Sequence, residues 1–244
     1  MNCILLEAEE STHDSVTLSG RRADHIVGVL KAQVGQVLRI GQVNGPIGEG
    51  EVATISDAEV TLQCRWGAVP PRPRDHVLLA MPRPKVMERL WITLAQMGVA
   101  SIRVTNANRV ERYYFDSRSL DPACVQERLR EGLEQAVCTH VPEVSIHKRL
   151  TRCLEDDLVA GPVRLFADPP AAESLDEVWS RLAPAPEREV LIAIGPEGGW
   201  NAHERELFEA HGFASFHMGR RIYRTETALV AALSQLDAIR RCGG

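Results

Sequence analysis

A short proline-rich segment divides this chain of 244 residues into two stretches with different hydrophobic patterns. The segment Val69–Arg74 contains three prolines, and proline lacks the backbone N–H that a helix interior or a central strand requires. A segment of this kind is extended and typical of a linker. We therefore place a boundary here and expect two domains, residues 1–70 and residues 74–244.

The stretch before the prolines is predicted to be rich in β-strands. Short apolar runs are separated by Gly, Asn, Asp and Ser, and residues 23–30 are compatible with a short helix. Several short strands at close spacing favour a small β-barrel. The predicted strands are Cys3–Leu6, Val16–Leu18, Val37–Ile40, Glu51–Ile55 and Val60–Trp66.

Strands and helices alternate after the prolines, which indicates a parallel α/β sheet. One predicted helix presents a face with helical spacing, formed by Met87, Leu90, Trp91 and Leu94. Another covers Asn201–His211, with asparagine as its N-cap and a glycine just past its end. The remaining predicted elements are the strands His76–Met81, Val99–Val104, Val163–Ala167, Val190–Ile194 and Phe213–Met218, and helices over Cys124–Cys138 and from Thr225 onward.

Composition disfavours membrane, secreted and metal-dependent classes of protein. Hydrophobic residues make up 44% and charged residues 25%, and no apolar segment approaches the length of a membrane span. The first residues do not resemble a signal peptide, so we expect a cytoplasmic protein. The six cysteines lie scattered, without zinc spacing. We expect reduced, mostly buried thiols and no metal site.

The net charge of −5 is unevenly distributed along the chain. The section Asp75–Cys153 contains 12 basic and 9 acidic residues, whereas the sections on either side of it are acidic. Contacts with nucleic-acid phosphates depend on the local density of Lys and Arg rather than on total charge. The basic section therefore fits either an RNA-binding surface or a solvated helix face.

A glycine-rich turn follows the apolar strand Val190–Ile194, in the sequence IGPEGGW. In open α/β sheets ligands bind at the carboxyl ends of strands, and glycine allows the backbone to approach a ligand closely. The turn lacks the GxGxxG and P-loop patterns that hold phosphates. It fits a ligand that is recognised by backbone N–H and C=O groups, such as an adenine ring, or an ordinary tight β-to-α turn.

A second candidate segment, MGRRIYRTETA at residues 218–228, leads into the last predicted helix. Its arginines, Arg220, Arg221 and Arg224, lie between two elements that end at the same sheet edge, although one of them is also a candidate structural partner for a carboxylate. Thr225 and Glu226 are explained equally well as a helix N-cap and as a favourable charge at the helix dipole.

Together these two segments resemble the paired signature of the RsmE-type 16S rRNA (uracil-N3)-methyltransferases, a branch of the SPOUT superfamily. The resemblance spans nearly the whole chain, because HIVGVLK at residues 25–31 with Gly35 resembles the family's PUA-like RNA-binding domain. Further matching positions are Pro84-Lys85, Met87-Glu88, Met97–Val99, Glu134-Gln135 and Val141–Glu143.

The resemblance implies a PUA-like β-barrel followed by a SPOUT-type α/β domain with a C-terminal trefoil knot. It also implies a homodimer that binds S-adenosyl-L-methionine in the knot, completes its catalytic pocket with the second subunit, and acts on ribosomal RNA or the small ribosomal subunit. Three loops would hold the cofactor. Their candidate residues are Phe166, Ala167, Asp168, Ile194, Gly195, Pro196, Gly198, Gly199, Met218, Gly219, Ile222, Tyr223, Thr225 and Thr227.

Direct methyl transfer to uracil N3 would require removal of the N3 proton or stabilisation of the anion that remains. An arginine beside the uracil oxygens would stabilise that anion, and a carboxylate or an ordered water would accept the proton. We predict Arg224 as the electrostatic stabiliser, with Glu197 or Glu226 organising the pocket. Glu197 alternatively caps a turn.

RNA contacts are predicted for basic residues in both domains. Tyr113 and Tyr114 fit stacking on an unpaired base, or packing in the core or at a dimer interface. The predicted RNA-binding residues are Arg21, Arg22, Lys31 and Arg39 in the barrel, and Arg83, Lys85, Arg109 and Arg112 near the active site.

The middle of the chain, residues 93–140, departs from the family pattern at several positions. The resemblance therefore defines the substrate of the protein less well than its cofactor. The family commonly has Gln-Lys at Thr93-Leu94, an arginine near Thr139-His140, and a glutamate-arginine pair followed by a basic residue within Asn108–Tyr114. Two alternatives therefore stay open: a SPOUT methyltransferase for another rRNA or tRNA position, and a non-catalytic RNA-binding ribosome-assembly factor. The missing phosphate motifs disfavour an ordinary nucleotide-binding enzyme.

Overall fold

The computed structural model describes residues 2–10, 14–156 and 161–242, and the chain divides into two compact units. The first unit comprises Met1–Arg72 together with Leu129–Val141, and the second comprises Pro73–Arg128 and Pro142–Gly244. The first break lies inside the proline-rich segment. No feature of the sequence pattern indicated that residues 129–141 would group with the first unit.

The first unit contains a curled, half-barrel sheet of five strands, which confirms the predicted β-rich architecture. The strands are β1 (Ile4–Leu6), β2 (Ser15–Ser19), β3 (Val37–Gln42), β4 (Ile47–Ile55) and β5 (Glu59–Trp66). Their order is β1-β3-β4-β5-β2, with β1 and β3 parallel and the other neighbours antiparallel. Alternate residues such as Val16 and Leu18 are buried on one face, as expected for a half-buried sheet. The short predicted helix is α1 (Arg21–Asp24), which continues into a π-helical turn, His25–Val29.

The second unit contains a six-stranded sheet in which every neighbouring pair is parallel, as the alternating pattern predicted. Its order is β11-β9-β10-β6-β7-β8 when the strands are numbered along the chain. The strands are β6 (Asp75–Ala80), β7 (Val99–Thr105), β8 (Glu143–His147), β9 (Val163–Ala167), β10 (Val190–Ile194) and β11 (Ala214–Phe216).

The remaining helices follow the predicted boundaries in part. They are α2 (Pro84–Gln96), α3 (Pro122–Ala136), α4 (Leu150–Asp156), α5 (Leu175–Leu182), α6 (Ala202–Ala210) and α7 (Thr225–Cys242). Helix α2 buries all four residues of its predicted apolar face. Helix α3 begins earlier than predicted, at Pro122, because proline is favourable at the first helical position. Just past its end, Val137 has a positive φ of 57°.

Three short elements, β8, α4 and α5, were not predicted, and the predicted strand Phe213–Met218 is only three residues long. Strand β8 lies at an edge of the sheet and none of its residues is fully buried, so it lacks the continuous apolar run of the central strands. The trefoil knot implied by the resemblance stays a prediction.

None of the six cysteines, all of which lie among the described residues, forms a disulfide in the structure. Cys3, Cys64 and Cys153 are buried, two more are half-buried and Cys242 is exposed, so fewer are buried than expected. Burial raises the pKa of the Cys3 thiol to about 11, which keeps it protonated at neutral pH. Within the described residues, no group of His, Cys, Asp and Glu could hold a metal ion, and no helix has the length and apolarity to span a membrane.

An ion pair fixes the end of α7 to the first residue of β6. Arg240 Nη1 donates to both carboxylate oxygens of Asp75, at 2.7 and 2.9 Å, and Nη2 donates to the carbonyl of Arg188 at 2.7 Å. Both charged side chains are largely buried, with 10% of Arg240 and 21% of Asp75 exposed. Removing one partner would leave a partly buried charge without its counter-charge.

We therefore expect Asp75→Asn to lower the free energy of unfolding by about 2 kcal/mol. Urea unfolding followed by circular dichroism measures this loss. The matched control is Asp237→Asn, which removes an exposed i,i+4 pair with Arg241 and should cost less than about 0.5 kcal/mol. Equal losses in the two variants would show that the Asp75–Arg240 pair is not a buried anchor.

Candidate functional site

The loops that follow β9, β10 and β11 line one cavity of about 250 Å³. These three parallel strands are neighbours in the sheet, so their carboxyl ends lie at the same edge. The glycine turn, Gly195–Gly199, and the arginine-rich segment, Met218–Thr225, therefore meet, and the Thr225 hydroxyl donates to the carbonyl of Gly195 at 3.4 Å.

Twelve of the fourteen predicted cofactor-binding residues line this cavity. They are Ala167, Asp168, Ile194, Gly195, Pro196, Gly198, Gly199, Met218, Gly219, Ile222, Tyr223 and Thr225. The structure places the other two elsewhere: Phe166 is buried and stacks on Phe208 with 5.1 Å between ring centroids, and Thr227 is exposed on α7. Phe166 lies outside the cavity lining although its neighbour Ala167 belongs to it, because successive residues of a strand point to opposite faces.

Several lining residues were not among the predicted cofactor-binding or catalytic residues. Arg205 lies inside α6 and belongs to no recognisable motif, so no local signal marked it. His217 and Arg221 lie in or next to the arginine-rich segment, which was singled out as a whole. The full set of additional lining residues is Pro169, Pro170, Arg205, Phe216, His217, Arg221 and Ala228.

The glycine turn requires glycine at two positions for different reasons. A Cβ on Gly195 would lie 3.1 to 3.4 Å from ring atoms of Trp200, whose side chain is buried with 1% exposed. Gly199 has a φ of +71°, a conformation that favours glycine, and its N–H donates to the carbonyl of Pro196 at 2.8 Å. The turn is therefore a tight β-to-α turn and also a cavity wall, so the two interpretations of its sequence are compatible.

A buried carboxylate gives the cavity a strong hydrogen-bond acceptor. Asp168 is 5% exposed, and its Oδ2 lies 2.8 Å from Nε of Arg205. This pair is an ionic contact without hydrogen-bond alignment, since Arg205 Nε has no hydrogen-bond partner among the described residues. Asp168 Oδ1 is also buried without a partner among them. A buried polar atom of this kind is normally satisfied, so it points to a bound ligand or water.

Helix α6, which follows the glycine turn, is fixed at its start by Glu204. Asn201 Oδ1 accepts from the backbone N–H of Glu204, and Glu204 Oε2 accepts from that of Asn201, both at 2.8 Å, which confirms the predicted N-cap. Glu204 Oε1 also accepts from the backbone N–H of Asn108 at 2.6 Å. This buried carboxylate therefore ties the glycine turn's helix to the loop after β7, a connection that the sequence did not indicate.

The predicted catalytic residues lie at the rim of the cavity or beside it. Glu197 lines the cavity, has 44% of its side chain exposed and lies 3.5 Å from Nε of Arg83. Arg224 is exposed between two lining residues, and its carbonyl accepts from the N–H of Ala228 at 2.8 Å at the start of α7. Glu226 is half-buried in the first turn of α7 and lies outside the lining.

The four predicted RNA-binding residues of the first unit differ in their environments. Arg22 donates to both oxygens of Glu10, at 2.8 and 2.5 Å, and this interaction holds the pKa of that carboxyl below its usual value. Arg21 lies 3.4 Å from the buried carboxylate of Glu134. Lys31 and Arg39 are exposed. Arg22 therefore has a structural partner that the sequence reasoning did not include.

The four predicted RNA-binding residues of the second unit are all exposed. Arg83 contacts Glu197, and the Arg109 guanidinium donates to the carbonyl of Gly198, so both reach the glycine turn. Lys85 lies in the first turn of α2, and Arg112 begins a short 3₁₀ helix, Arg112–Asp116.

Comparisons with known proteins agree with this geometry. A family profile described as an RNA methyltransferase domain matches residues 70–237. Ribosomal RNA small subunit methyltransferase E of Treponema pallidum is 33% identical over 244 residues, which cover 95% of this chain and 89% of that protein. Ribosomal RNA small subunit methyltransferase E 1 of Borreliella burgdorferi is 24% identical over 238 residues, which cover 95% of each.

A solved structure shares the fold over nearly its whole length. It is a ribosomal RNA small subunit methyltransferase E from Neisseria gonorrhoeae bound to S-adenosyl methionine, with a TM-score of 0.81 and 20% identity. The match covers 98% of each chain.

Proposed function

Because this chain belongs to the RNA methyltransferase family, we propose that it transfers a methyl group from S-adenosyl-L-methionine to N3 of a uridine in small-subunit (16S) ribosomal RNA. The names of its relatives support the ribosomal substrate, and the sequence resemblance supports the uracil N3 position. One observation carries the proposal: the glycine turn and the arginine-rich segment line a single cavity that contains the buried carboxylate of Asp168.

The residues of this cavity fit the cofactor. When bound, S-adenosyl-L-methionine supplies an activated methyl group. The backbone groups of Gly195, Gly199 and Met218 lie in the lining, where they would bind its adenosyl part. Asp168 Oδ1 would accept a hydrogen bond from an N–H or O–H group of the cofactor, which would satisfy this buried oxygen.

Charged side chains at the rim suit the uracil. Arg224 would stabilise the negative charge that develops on the uracil oxygens when N3 loses its proton. Glu197 lines the cavity and is partly exposed, so its carboxylate would accept that proton or orient the base. Glu226, in the first turn of α7, would help to organise the pocket.

The proposal includes the partners that the resemblance implies. The chain would act as a homodimer, with the second copy completing the catalytic pocket. Exposed arginines and lysines in both units would contact RNA phosphates, among them Lys31, Arg39, Lys85 and Arg112. A ribosomal substrate would place the reaction in the cytoplasm.

Methyl transfer to defined RNA substrates tests the proposal. The protein is incubated with S-adenosyl-L-methionine and small ribosomal subunits from cells that lack this activity, and modified nucleosides are identified by mass spectrometry. We expect close to one N3-methyluridine for each subunit, and none in tRNA treated in the same way. Methylation of tRNA alone would support another SPOUT activity, and cofactor binding without any transfer would support an assembly factor. Either result would contradict the proposal.

A further inference from the structure

The loop after β7, residues 106–114, is fastened to the glycine turn at two points. The backbone N–H of Asn108 donates to the buried carboxylate of Glu204 at 2.6 Å, and the Arg109 guanidinium donates to the carbonyl of Gly198. The loop and the turn are also closely packed, since a Cβ on Gly198 would lie 2.6 Å from Cδ of Arg109. The position of this loop is therefore fixed relative to the cavity wall.

Three arginines lie on or beside this loop, and Glu197 of the turn pairs with one of them, Arg83. Arg83, Arg109 and Arg112 are exposed, and the first two contact the glycine turn directly. Glu111 is the acidic residue within the same loop. Three guanidinium groups on one loop and the adjacent helix start are suited to phosphate oxygens, because arginine binds phosphate through two parallel N–H groups.

An exposed tyrosine follows these arginines. Tyr113 is 65% exposed, which is unusual for a large aromatic side chain. Its ring meets that of Tyr114 edge to face, with 4.9 Å between centroids and 83° between planes. Tyr114 is half-buried, so it holds the Tyr113 ring in place without covering it completely. Aromatic rings that are both held and exposed serve as stacking platforms for unpaired bases.

We propose that Tyr113 stacks on an unpaired base of the RNA substrate, while Arg109 and Arg112 contact the adjoining phosphates. This inference rests on the proposed function, in which RNA is the substrate. The hydrogen bonds of the loop to Glu204 and Gly198 would hold the stacked nucleotide at a fixed distance from the cofactor cavity. Every base has a face on which an aromatic ring can stack, so the site would bind the nucleotide next to the target without selecting a particular base.

Binding of a fluorescent oligouridylate to the full chain tests this site. We expect Tyr113→Ala to weaken the RNA Kd about 5- to 150-fold, the range for loss of one base–aromatic stack, and Tyr113→Phe to stay within about two-fold of the wild type. Leu182→Ala, which removes an apolar side chain that is 41% exposed from α5, is the control and should leave the Kd unchanged. The Kd for S-adenosyl-L-methionine should be the same in all four proteins.

Two results would overturn the inference. Tyr113→Ala could bind the oligouridylate as well as the wild type does, or it could dissociate into monomers in sedimentation experiments, which would place the ring at a protein interface. Methyl transfer by the wild type, measured in parallel, separates the two proposals. Active wild-type enzyme with an unaffected Tyr113→Ala variant refutes only the stacking site, whereas inactive wild-type enzyme refutes the proposed function.

Discussion

Replacing Asp168 by alanine is expected to weaken the binding of S-adenosyl-L-methionine about 10- to 100-fold, in line with the ~1.5–3 kcal/mol of a hydrogen bond to a charged group. Asp168 is buried in the cavity wall, and its Oδ1 has no partner among the described residues. The substitution removes that acceptor and also leaves Arg205 without its ionic contact. Isothermal titration calorimetry measures the change in Kd.

The isosteric variant Asp168→Asn separates charge from shape. It keeps the volume of the side chain but removes its negative charge, so we expect a smaller loss of affinity than for alanine. Thermal unfolding of both variants shows whether the cavity wall is still folded. A folded Asp168→Ala variant with unchanged affinity would mean that the cofactor does not contact this carboxylate.

Replacing Arg224 by alanine is expected to lower kcat about 100- to 1,000-fold while the Kd for S-adenosyl-L-methionine stays within about three-fold. Arg224 lies at the rim between Tyr223 and Thr225, which line the cavity, but its own side chain is exposed and outside the lining. Its proposed role is toward the uracil rather than the cofactor. Single-turnover methyl transfer to small ribosomal subunits measures the rate of the chemical step.

Arg220 provides the matched control for Arg224. It is exposed, belongs to the same segment and lies outside the cavity lining. Arg220→Ala should therefore change kcat less than about ten-fold, and any effect on RNA affinity should weaken with added salt, as expected for a phosphate contact. Similar losses of kcat in the two variants would show that the segment contributes charge in general and that Arg224 has no specific role.

Much of the fold could be predicted because its signals are local. The apolar run Val190–Ile194 and the spacing of Met87, Leu90, Trp91 and Leu94 lie within single elements, and both elements formed as predicted. Strand β8 was missed because an edge strand with half-buried residues carries little hydrophobic signal. Residues 129–141 grouped with the first unit through contacts such as Thr139 Oγ1 to Gly45 O at 2.7 Å, which join positions distant in sequence.

The cavity could be predicted in outline for the same reason, while its internal contacts could not. The glycine turn and the arginine-rich segment each have a recognisable sequence, and parallel strand order brings them to one edge. Two of these contacts, Arg205 with Asp168 and Asn108 with Glu204, depend on how separate elements pack. No spacing rule in the sequence predicts them. The contact of Arg22 with Glu10 likewise joins two separate segments, and no local pattern indicates it.

A crystal structure of this chain with S-adenosyl-L-methionine would show directly whether the cavity after β9, β10 and β11 holds the cofactor. We predict that the cofactor lies between Gly195–Gly199 and Met218–Thr225, with one of its N–H or O–H groups within hydrogen-bond distance of Asp168 Oδ1. Electron density for the cofactor at any other place, or a cavity that stays filled by protein side chains at saturating cofactor, would contradict the account.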